Sequence, residues 1–354
     1  MEFTRDQIKI TKGVAILFMM LLHLFCTKNY EGLYTPLVFI GNNPLMYYLA
    51  LFGDCCVAIY CFCSGYGLIL GYKKDEKSYF KKNILRILKL YINFWIILVI
   101  FVLILGPILG KADVFPGNLK TFILTFTAIS TSYNGAWWFI TTYIILVLIS
   151  SWINKVVIKK NNILIVFISF IFYFIGYLQR IKGLVSFDNE ILNWFFIQIG
   201  FIGTSQFPFV IGAIFADKKI YSKLYNFTLK IKFKNLIGLS LILVLIIAHG
   251  FVETLFIAVF TGIAFICIFN LIDKPKWLNE TLMFMSNHST NMWLVHMFIY
   301  SAYFKEIVYA PKYSILIFLW LVVICIAISY MIGYINKIIS ISFKDNGKGT
   351  ISIN

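Results

Sequence analysis

Long apolar runs separated by short polar segments make up most of the chain. A helix that crosses the hydrocarbon core of a bilayer needs about 20 apolar residues, and ten runs are close to that length or exceed it. Lipid offers no partner for backbone N–H and C=O groups, so each run is predicted to be helical. The predicted spans cover residues 12–28, 47–72, 87–109, 134–154, 163–179, 191–215, 235–251, 255–272, 282–303 and 313–335. The pattern therefore predicts an all-α integral membrane protein with about ten transmembrane helices.

The segments between these runs are short. None is long enough to fold as a separate domain, and no internal repeat is visible along the chain. Residues 119–133 are apolar but too short for a span, which predicts a re-entrant or interfacial segment. We predict one transmembrane domain over residues 1–340 and a short cytoplasmic tail over residues 341–354.

Composition supports the membrane assignment. Hydrophobic residues make up 60% of the chain and charged residues 13%, whereas a soluble domain usually carries about 25% charged residues. The seven Cys residues lie in or beside apolar runs, and they lack the spacing of a zinc site. We expect them to act as small buried hydrophobes, so neither a disulfide framework nor a metal site is predicted.

The basic residues are distributed unequally between the two sides of the predicted membrane domain. With the N-terminus inside, 24 of the 31 Lys and Arg residues fall on the cytoplasmic side. The positive-inside rule describes this bias, and it predicts that both termini are cytoplasmic. Topology thus explains the net charge of +16. Nucleic-acid binding would need a basic patch on a soluble surface and is not expected.

Lys12 and His23 are ionisable residues within the first predicted span. Such residues are costly in a membrane, which makes them functional candidates. Eleven helical steps of about 100° return the chain to within roughly 20° of its starting direction, about 16 Å along the axis. Taken singly, Lys12 is also explained as a snorkelling boundary residue and His23 as a helix–helix hydrogen-bonding group. Their shared face favours a site for a long ligand that enters from the cytoplasm.

Further candidates lie in the second span and in the loop that follows it. Asp54 lies near the outer end of that span, where an ordinary interfacial charge is the alternative explanation. Ser64 and Tyr66 belong to a stretch of small residues that either a ligand or a packed helix could approach closely. Lys82 and Arg86 lie in a basic stretch that positive-inside anchoring also explains. The planar fork of Arg86 nevertheless suits bidentate phosphate binding.

The later spans contain aromatic and His candidates. Trp138 and Phe139 begin the fourth span, where an interfacial aromatic belt is the alternative explanation. His296 lies deep in the ninth span and is a functional candidate for that reason. His249 and Glu253, at the outer end of the seventh span, are four residues apart and are predicted to pair with each other.

Five segments, in this order, resemble the motifs of membrane-bound acyltransferase family 3. The family's first span opens with a basic residue, usually Arg, and continues to a His; here these are Lys12 and His23. The segment 59–66 is similar to the family's FF-x-x-SGY/F pattern, and 82–86 to its R-x-x-x-R pattern, with Lys82 at the first Arg. The segments 135–139 and 289–296 are similar to its G-x-WF and S-x-x-I-Y-L-x-H patterns. The resemblance covers residues 9 to about 300.

The resemblance implies that an acyl group, usually acetyl, moves from cytoplasmic acyl-CoA to a sugar hydroxyl or another extracytoplasmic acceptor. It implies that His23 is the catalytic base or the acyl-handling residue. The residues assigned to the acyl-CoA side are Lys12, Lys82, Arg86, Ser64 and Tyr66. The residues assigned to the acceptor or the lining of the site are Trp138, Phe139, His296 and Asp54.

The predicted function is O-acetylation of a cell-surface polysaccharide, or of its lipid-linked precursor, in a bacterial cytoplasmic membrane. Acetyl-CoA is the predicted co-substrate, no permanently bound cofactor is expected, and membrane lipids surround the protein. Neutral imidazole suits removal of a hydroxyl proton near pH 7, and the offset of about 16 Å between Lys12 and His23 is comparable to a pantetheine arm. The alternatives are a polysaccharide flippase or polymerase without CoA chemistry, and a proton-coupled transporter in which His23 relays protons.

Overall fold

The computed structural model describes residues 3–345, so residues 346–354 of the predicted tail lie outside the described residues. Most of the described chain is helical. The helices are α1 (Arg5–Phe25), α2 (Leu45–Leu51), α3 (Cys56–Lys74), α4 (Glu76–Leu98), α5 (Gly106–Ile108), α6 (Leu119–Phe126), α7 (Trp138–Lys159), α8 (Asn162–Lys182), α9 (Glu190–Asp217), α10 (Ile220–Thr228), α11 (Lys234–Phe251), α12 (Leu255–Leu271), α13 (Lys276–Met297), α14 (Lys305–Tyr309) and α15 (Ser314–Asp345).

Shorter elements complete the described chain. Two 3₁₀ turns occupy Phe52–Cys55 and Gly135–Trp137, and π-helical segments continue α4 at Val99–Leu105 and α13 at Phe298–Tyr303. The strands β1 (Phe39–Ile40) and β2 (Asn43–Pro44) form a small antiparallel hairpin in which Ile40 lies opposite Asn43.

The predicted fold class, an all-α membrane protein, is confirmed. Within residues 3–345, eight helical stretches are long and apolar enough to cross a membrane. The apolar helix α12 has 17 residues, one fewer than the shortest of these eight stretches. Helix α13 with its π-helical continuation covers the ninth predicted span. The count of ten crossings and the cytoplasmic side of both termini stay predictions. The segment predicted to be re-entrant or interfacial contains α6, whose side chains Leu119 and Ile123 are exposed.

Polar side chains define where the membrane helices begin. The Thr4 hydroxyl accepts a hydrogen bond from the Gln7 backbone N–H at 3.2 Å, and the Gln7 side chain accepts one from the Thr4 N–H at 2.9 Å. This reciprocal capping box satisfies N–H groups that have no partner within α1. The Asn161 side-chain oxygen caps α8 by accepting one hydrogen bond from the Ile163 backbone N–H at 2.9 Å. Gly183 follows the last residue of α8, and its φ of 59° is the left-handed conformation that glycine tolerates.

The chain divides into two compact units. Unit 1 comprises the described residues up to Tyr30 together with Pro36–Lys81 and Thr142–Asn287. Unit 2 comprises Glu31–Thr35, Lys82–Thr141 and the described residues from His288 onward.

Glycine residues set the closest helix contacts in unit 1. A Cβ atom on Gly65 would lie 1.9 Å from the Phe209 carbonyl oxygen, and one on Gly212 would lie 2.1 Å from that of Phe62. Helices α3 and α9 therefore approach backbone to backbone, as membrane helices do where small residues line their interface. Gly67, by contrast, faces open space. Helix packing thus explains Gly65 within the small-residue stretch of the second predicted span.

Hydrogen bonds between side-chain amide and hydroxyl groups join α4, α13 and α15 in unit 2. The Asn93 amide donates to the Asn291 side-chain oxygen at 3.0 Å, and the Asn291 amide donates to the Ser329 hydroxyl at 3.0 Å. The Asn336 amide donates to the Asn93 side-chain oxygen at 2.5 Å, and His288 Nδ1 lies 2.9 Å from the Ser329 hydroxyl. Polar groups in the interior of a membrane domain need such partners, because lipid supplies none.

We predict that Gly65→Ala destabilises the protein by about 1–3 kcal/mol, because the added methyl group overlaps the backbone of α9. Thermal unfolding of the purified protein in detergent measures the effect. The matched control is Gly67→Ala on the same helix, which should leave the melting temperature unchanged or slightly raised. Equal melting temperatures for the two variants would contradict this account of the α3–α9 contact.

Candidate functional site

The ten predicted site residues are divided equally between the two units. Those in unit 1 are Lys12, His23, Asp54, Ser64 and Tyr66. Those in unit 2 are Lys82, Arg86, Trp138, Phe139 and His296.

Lys12 and His23 lie on one uninterrupted helix. Because α1 is helical from Arg5 to Phe25, the eleven-residue step places the two residues about 16 Å apart along its axis, within roughly 20° of the same direction. Both side chains are half-buried. The helix therefore carries one cationic group and one imidazole along a single stripe.

The Lys12 end of this stripe faces α3. The Tyr60 hydroxyl donates to the Lys12 carbonyl oxygen at 3.2 Å, and the Lys12 ammonium group interacts electrostatically with the Cys63 thiol. Ser64, the next residue along α3, is half-buried. These contacts place Lys12 beside the segment that contains the predicted Ser64.

Tyr66 belongs to the interior of unit 1. Its side chain is buried, and its ring makes an edge contact with Phe3 at 5.1 Å between centroids and a stacked contact with Phe62 at 6.4 Å. Aromatic pairs at such distances add stability beyond the area they bury. Tyr66 thus contributes packing that supports the surrounding part of α3.

Three ionisable residues, each from a different helix, interact with Asp54. The Asp54 carboxyl oxygen lies 3.9 Å from His249 Nε2, and the carboxyl group interacts electrostatically with His23 and with Arg180. His249 is fully buried, with Nδ1 at 3.1 Å from the Thr261 hydroxyl. Ionisable groups that lie within a membrane domain are costly and are therefore functional candidates. We call His23, Asp54, Arg180 and His249 the Asp54 cluster.

The predicted pairing of His249 with Glu253 is wrong. Glu253 instead accepts hydrogen bonds from Lys28 Nζ at 2.7 Å and from the Tyr47 hydroxyl at 3.1 Å. The bond from Lys28 is the main reason that the pKa of the Glu253 carboxyl is held below its ordinary value, and the bond from Tyr47 adds to it. The error arose because α11 ends at Phe251, so the helical four-residue spacing does not extend to Glu253.

Sequence reasoning missed His249 and Arg180 as members of the site. Glu253 lies only four residues from His249, so the sequence favoured it over Asp54, which is distant in the chain. Arg180 is one of the seven Lys and Arg residues that the predicted topology places on the outer side, and topology alone does not explain its role. One signal was available, because Arg180 is one of the few Arg residues in a chain that otherwise uses Lys, and Arg suits buried ion pairs better than Lys does.

In unit 2 the segment before Trp138 is joined to the region before His296. The Asn134 amide and the Trp137 indole both donate to the Leu294 carbonyl oxygen, each at 3.0 Å. In the opposite direction, the Trp293 indole donates to the Ala136 carbonyl oxygen at 3.0 Å. Two of the five family-like segments are therefore connected by hydrogen bonds. Sequence reasoning selected neither Asn134 nor Trp137.

The predicted residues of unit 2 lie in different surroundings. Phe139 packs against Trp138 and Trp293, with ring centroids 5.5 and 5.8 Å apart. His296 is fully buried, and its Nδ1 lies 2.8 Å from the Trp293 carbonyl oxygen. Just beyond His296 the helix changes to π geometry at Phe298, a feature that often accompanies functional sites.

Lys82 and Arg86 are exposed side chains on α4. Arg86 donates from Nη1 to the side-chain oxygen of the buried Asn83 at 2.7 Å, which fixes one side of its guanidinium group. The remaining N–H groups retain the geometry that suits a phosphate.

Over residues 3–345, no group of three or more His, Cys, Asp or Glu side chains is placed to hold a metal ion.

The family model of acyltransferase family 3, described as an acyltransferase domain, matches residues 5–334. This match covers nearly the whole chain and includes all ten predicted site residues. No curated protein and no solved structure matches the chain.

We predict that Trp137→Phe lowers the stability of the protein by about 1–3 kcal/mol, because the change removes a buried indole hydrogen bond to Leu294. Thermal unfolding in detergent measures the loss. Trp152→Phe is the matched control, since Trp152 lies on α7 with 68% of its surface exposed. A similar melting temperature for both variants would show that the bond contributes little.

Proposed function

Because the chain belongs to membrane-bound acyltransferase family 3, we propose that it transfers an acetyl group from cytoplasmic acetyl-CoA to a hydroxyl of a cell-surface polysaccharide or of its lipid-linked precursor. The family match supports a membrane acyltransferase. One observation carries the finer proposal: α1 holds Lys12 and His23 on one face, about 16 Å apart. This spacing fits a donor whose phosphates and thioester lie at opposite ends of a long arm.

The proposed reaction needs only a base that can take and return one proton. The neutral His23 imidazole removes the proton from the acceptor hydroxyl while the hydroxyl oxygen attacks the thioester carbonyl carbon. The tetrahedral intermediate then collapses, the C–S bond breaks, and the thiolate of CoA takes the proton from the His23 imidazolium. The products are an O-acetyl ester and CoA, so atoms, electrons and protons balance without a further cofactor.

Donor binding is assigned to the residues near the predicted cytoplasmic side. Lys12 would act as a point charge for a phosphate of CoA, beside the segment with Ser64. The exposed Lys82 and Arg86 of unit 2 carry the same assignment from the family resemblance. Positive charge on this side attracts a polyanionic donor from the cytoplasm.

The acceptor is assigned to the predicted outer side, where His23 ends the stripe on α1. A hydroxyl that reached His23 from this side would meet the thioester delivered from the other side. Trp138, Phe139 and His296 of unit 2 are proposed to line the acceptor site. Aromatic side chains suit this task because the apolar faces of sugar rings pack against them.

We expect cells that carry the gene to contain O-acetyl groups on the surface polysaccharide that cells without it lack. NMR of the extracted polysaccharide measures the O-acetyl content directly. In membrane vesicles, label from radioactive acetyl-CoA should enter the glycan. A flippase or a proton-coupled transporter would transfer no label, so absence of transfer would refute the proposal.

His23→Ala should reduce acetyl transfer by at least about 100-fold, since general-base catalysis commonly contributes that much. Initial rates in membrane vesicles, corrected for the amount of inserted protein, measure the loss. His288→Gln is the matched control, because Gln retains a hydrogen-bonding group for Ser329 in unit 2. A His23→Ala protein with the wild-type rate would show that His23 is not the base.

Lys12→Ala should raise the KM for acetyl-CoA by at least about 10-fold, because the loss of a charge-assisted contact to phosphate costs about 1.5–3 kcal/mol. A donor without the CoA phosphates, such as acetyl-pantetheine, should be used equally well by the wild type and the variant. Lys9→Ala, an exposed lysine on the same helix, is the control. An unchanged KM for acetyl-CoA in Lys12→Ala would rule out the phosphate contact.

A further inference from the structure

The Asp54 cluster brings a carboxylate within electrostatic range of the His23 imidazole. This position of Asp54 depends on a close contact between the 3₁₀ turn Phe52–Cys55 and α1. A Cβ atom on Gly53 would lie 2.4 Å from the Phe18 carbonyl oxygen and 3.0 Å from Leu22 Cβ. Only glycine allows this approach. It brings Asp54, the next residue, to the last turn of α1, where its carboxyl group interacts electrostatically with His23.

His249 approaches the Asp54 carboxylate from α11 and is itself fixed by α12. The Thr261 hydroxyl lies 3.1 Å from His249 Nδ1 and within hydrogen-bond distance of the Ile257 and Ala258 carbonyl oxygens. When this hydroxyl donates to Nδ1, the neutral imidazole carries its hydrogen on Nε2. Nε2 lies 3.9 Å from the Asp54 carboxyl oxygen, so this tautomer places an N–H group beside the carboxylate.

Arg180 supplies a permanent positive charge to the same carboxylate. Its Nη1 donates to the Thr204 hydroxyl at 3.2 Å, and its guanidinium group lies over the Phe201 ring at 5.1 Å. The guanidinium group interacts electrostatically with Asp54. A carboxylate within a membrane domain requires such compensation, because desolvation of an isolated charge is costly.

Resting on the proposed function, we infer that Asp54 is a positioning residue for His23: its carboxylate orients the imidazole and stabilises the imidazolium that forms when His23 takes the hydroxyl proton. Arg180 and His249 hold the carboxylate in place and keep it charged. A carboxylate that orients a catalytic imidazole has the same task in other acyl-transfer sites. Glu253 does not share this task, since Lys28 and Tyr47 already engage its carboxylate.

The decisive variant is Asp54→Asn, which keeps the shape of the side chain and removes its charge. In membrane vesicles that contain the full chain, we expect kcat for acetyl transfer to fall by at least about 100-fold. The KM for acetyl-CoA should stay within about twofold, because Asp54 lies near His23, which is about 16 Å from Lys12 along the axis of α1. Asp54→Glu restores the charge, and its kcat should be at least about tenfold higher than that of Asp54→Asn.

Glu253→Gln is the matched control, because it removes a carboxylate from the loop between α11 and α12 but not from the Asp54 cluster. Its kcat should stay within about twofold of the wild type. Thermal unfolding in detergent separates positioning from folding: Asp54→Asn should lower the melting temperature, because Arg180 loses its compensating charge, whereas the loss of kcat should persist when rates are expressed per folded protein. If Asp54→Asn does not insert stably, Asp54→Glu decides the question by its rate, which should stay within about tenfold of the wild type.

Two results would overturn the inference. One is a kcat within about threefold of the wild type in Asp54→Asn, and the other is a loss of rate in Asp54→Glu that is as large as in Asp54→Asn. Both presuppose that the wild-type protein transfers acetyl groups. If the wild type transfers none, the proposed function fails first, and the role of Asp54 fails with it.

Discussion

The bilayer core contains no water, and this constraint determines how the polar groups of the membrane helices are placed. Backbone N–H and C=O groups must be satisfied within their own segment, which makes each apolar run a helix. Polar side chains must find partners on neighbouring helices, as Asn93, Asn291 and Ser329 do in unit 2. An ionisable side chain in such surroundings needs either a compensating charge or a ligand, so the Asp54 cluster is the part of unit 1 where chemistry is expected.

Lipid also removes the hydrophobic effect as a force between helices, so close packing has to replace it. In unit 1, Gly65 and Gly212 allow α3 and α9 to meet backbone to backbone, and Gly176 and Gly203 do the same for α8 and α9. Gly53 serves packing and site geometry together, since the contact that it permits with α1 also sets the position of Asp54. A fixed backbone of this kind is what a site needs if its charged groups are to keep their geometry.

The acyltransferase assignment and the local physical chemistry support each other. The family match covers nearly the whole chain, and Lys12 and His23 place a cationic group and an imidazole on one stripe of α1, which is the basis of the proposed donor and acceptor sites. In unit 2, hydrogen bonds connect Asn134 and Trp137 to Leu294, so two separate family-like segments form one structure. Each of these features depends on polar groups that are held by partners within its own unit.

The sequence by itself determined the helical membrane fold and the shared face of Lys12 and His23, because both depend on regularities within a single segment. The resemblance to the family also came from local motifs, and the family match confirmed it. Only the tertiary structure decided that His249 faces Asp54 and not Glu253, and that Arg180 belongs to the same cluster. These contacts join residues that are far apart in the chain, and they depend on how helices cross, which no periodicity within one segment encodes.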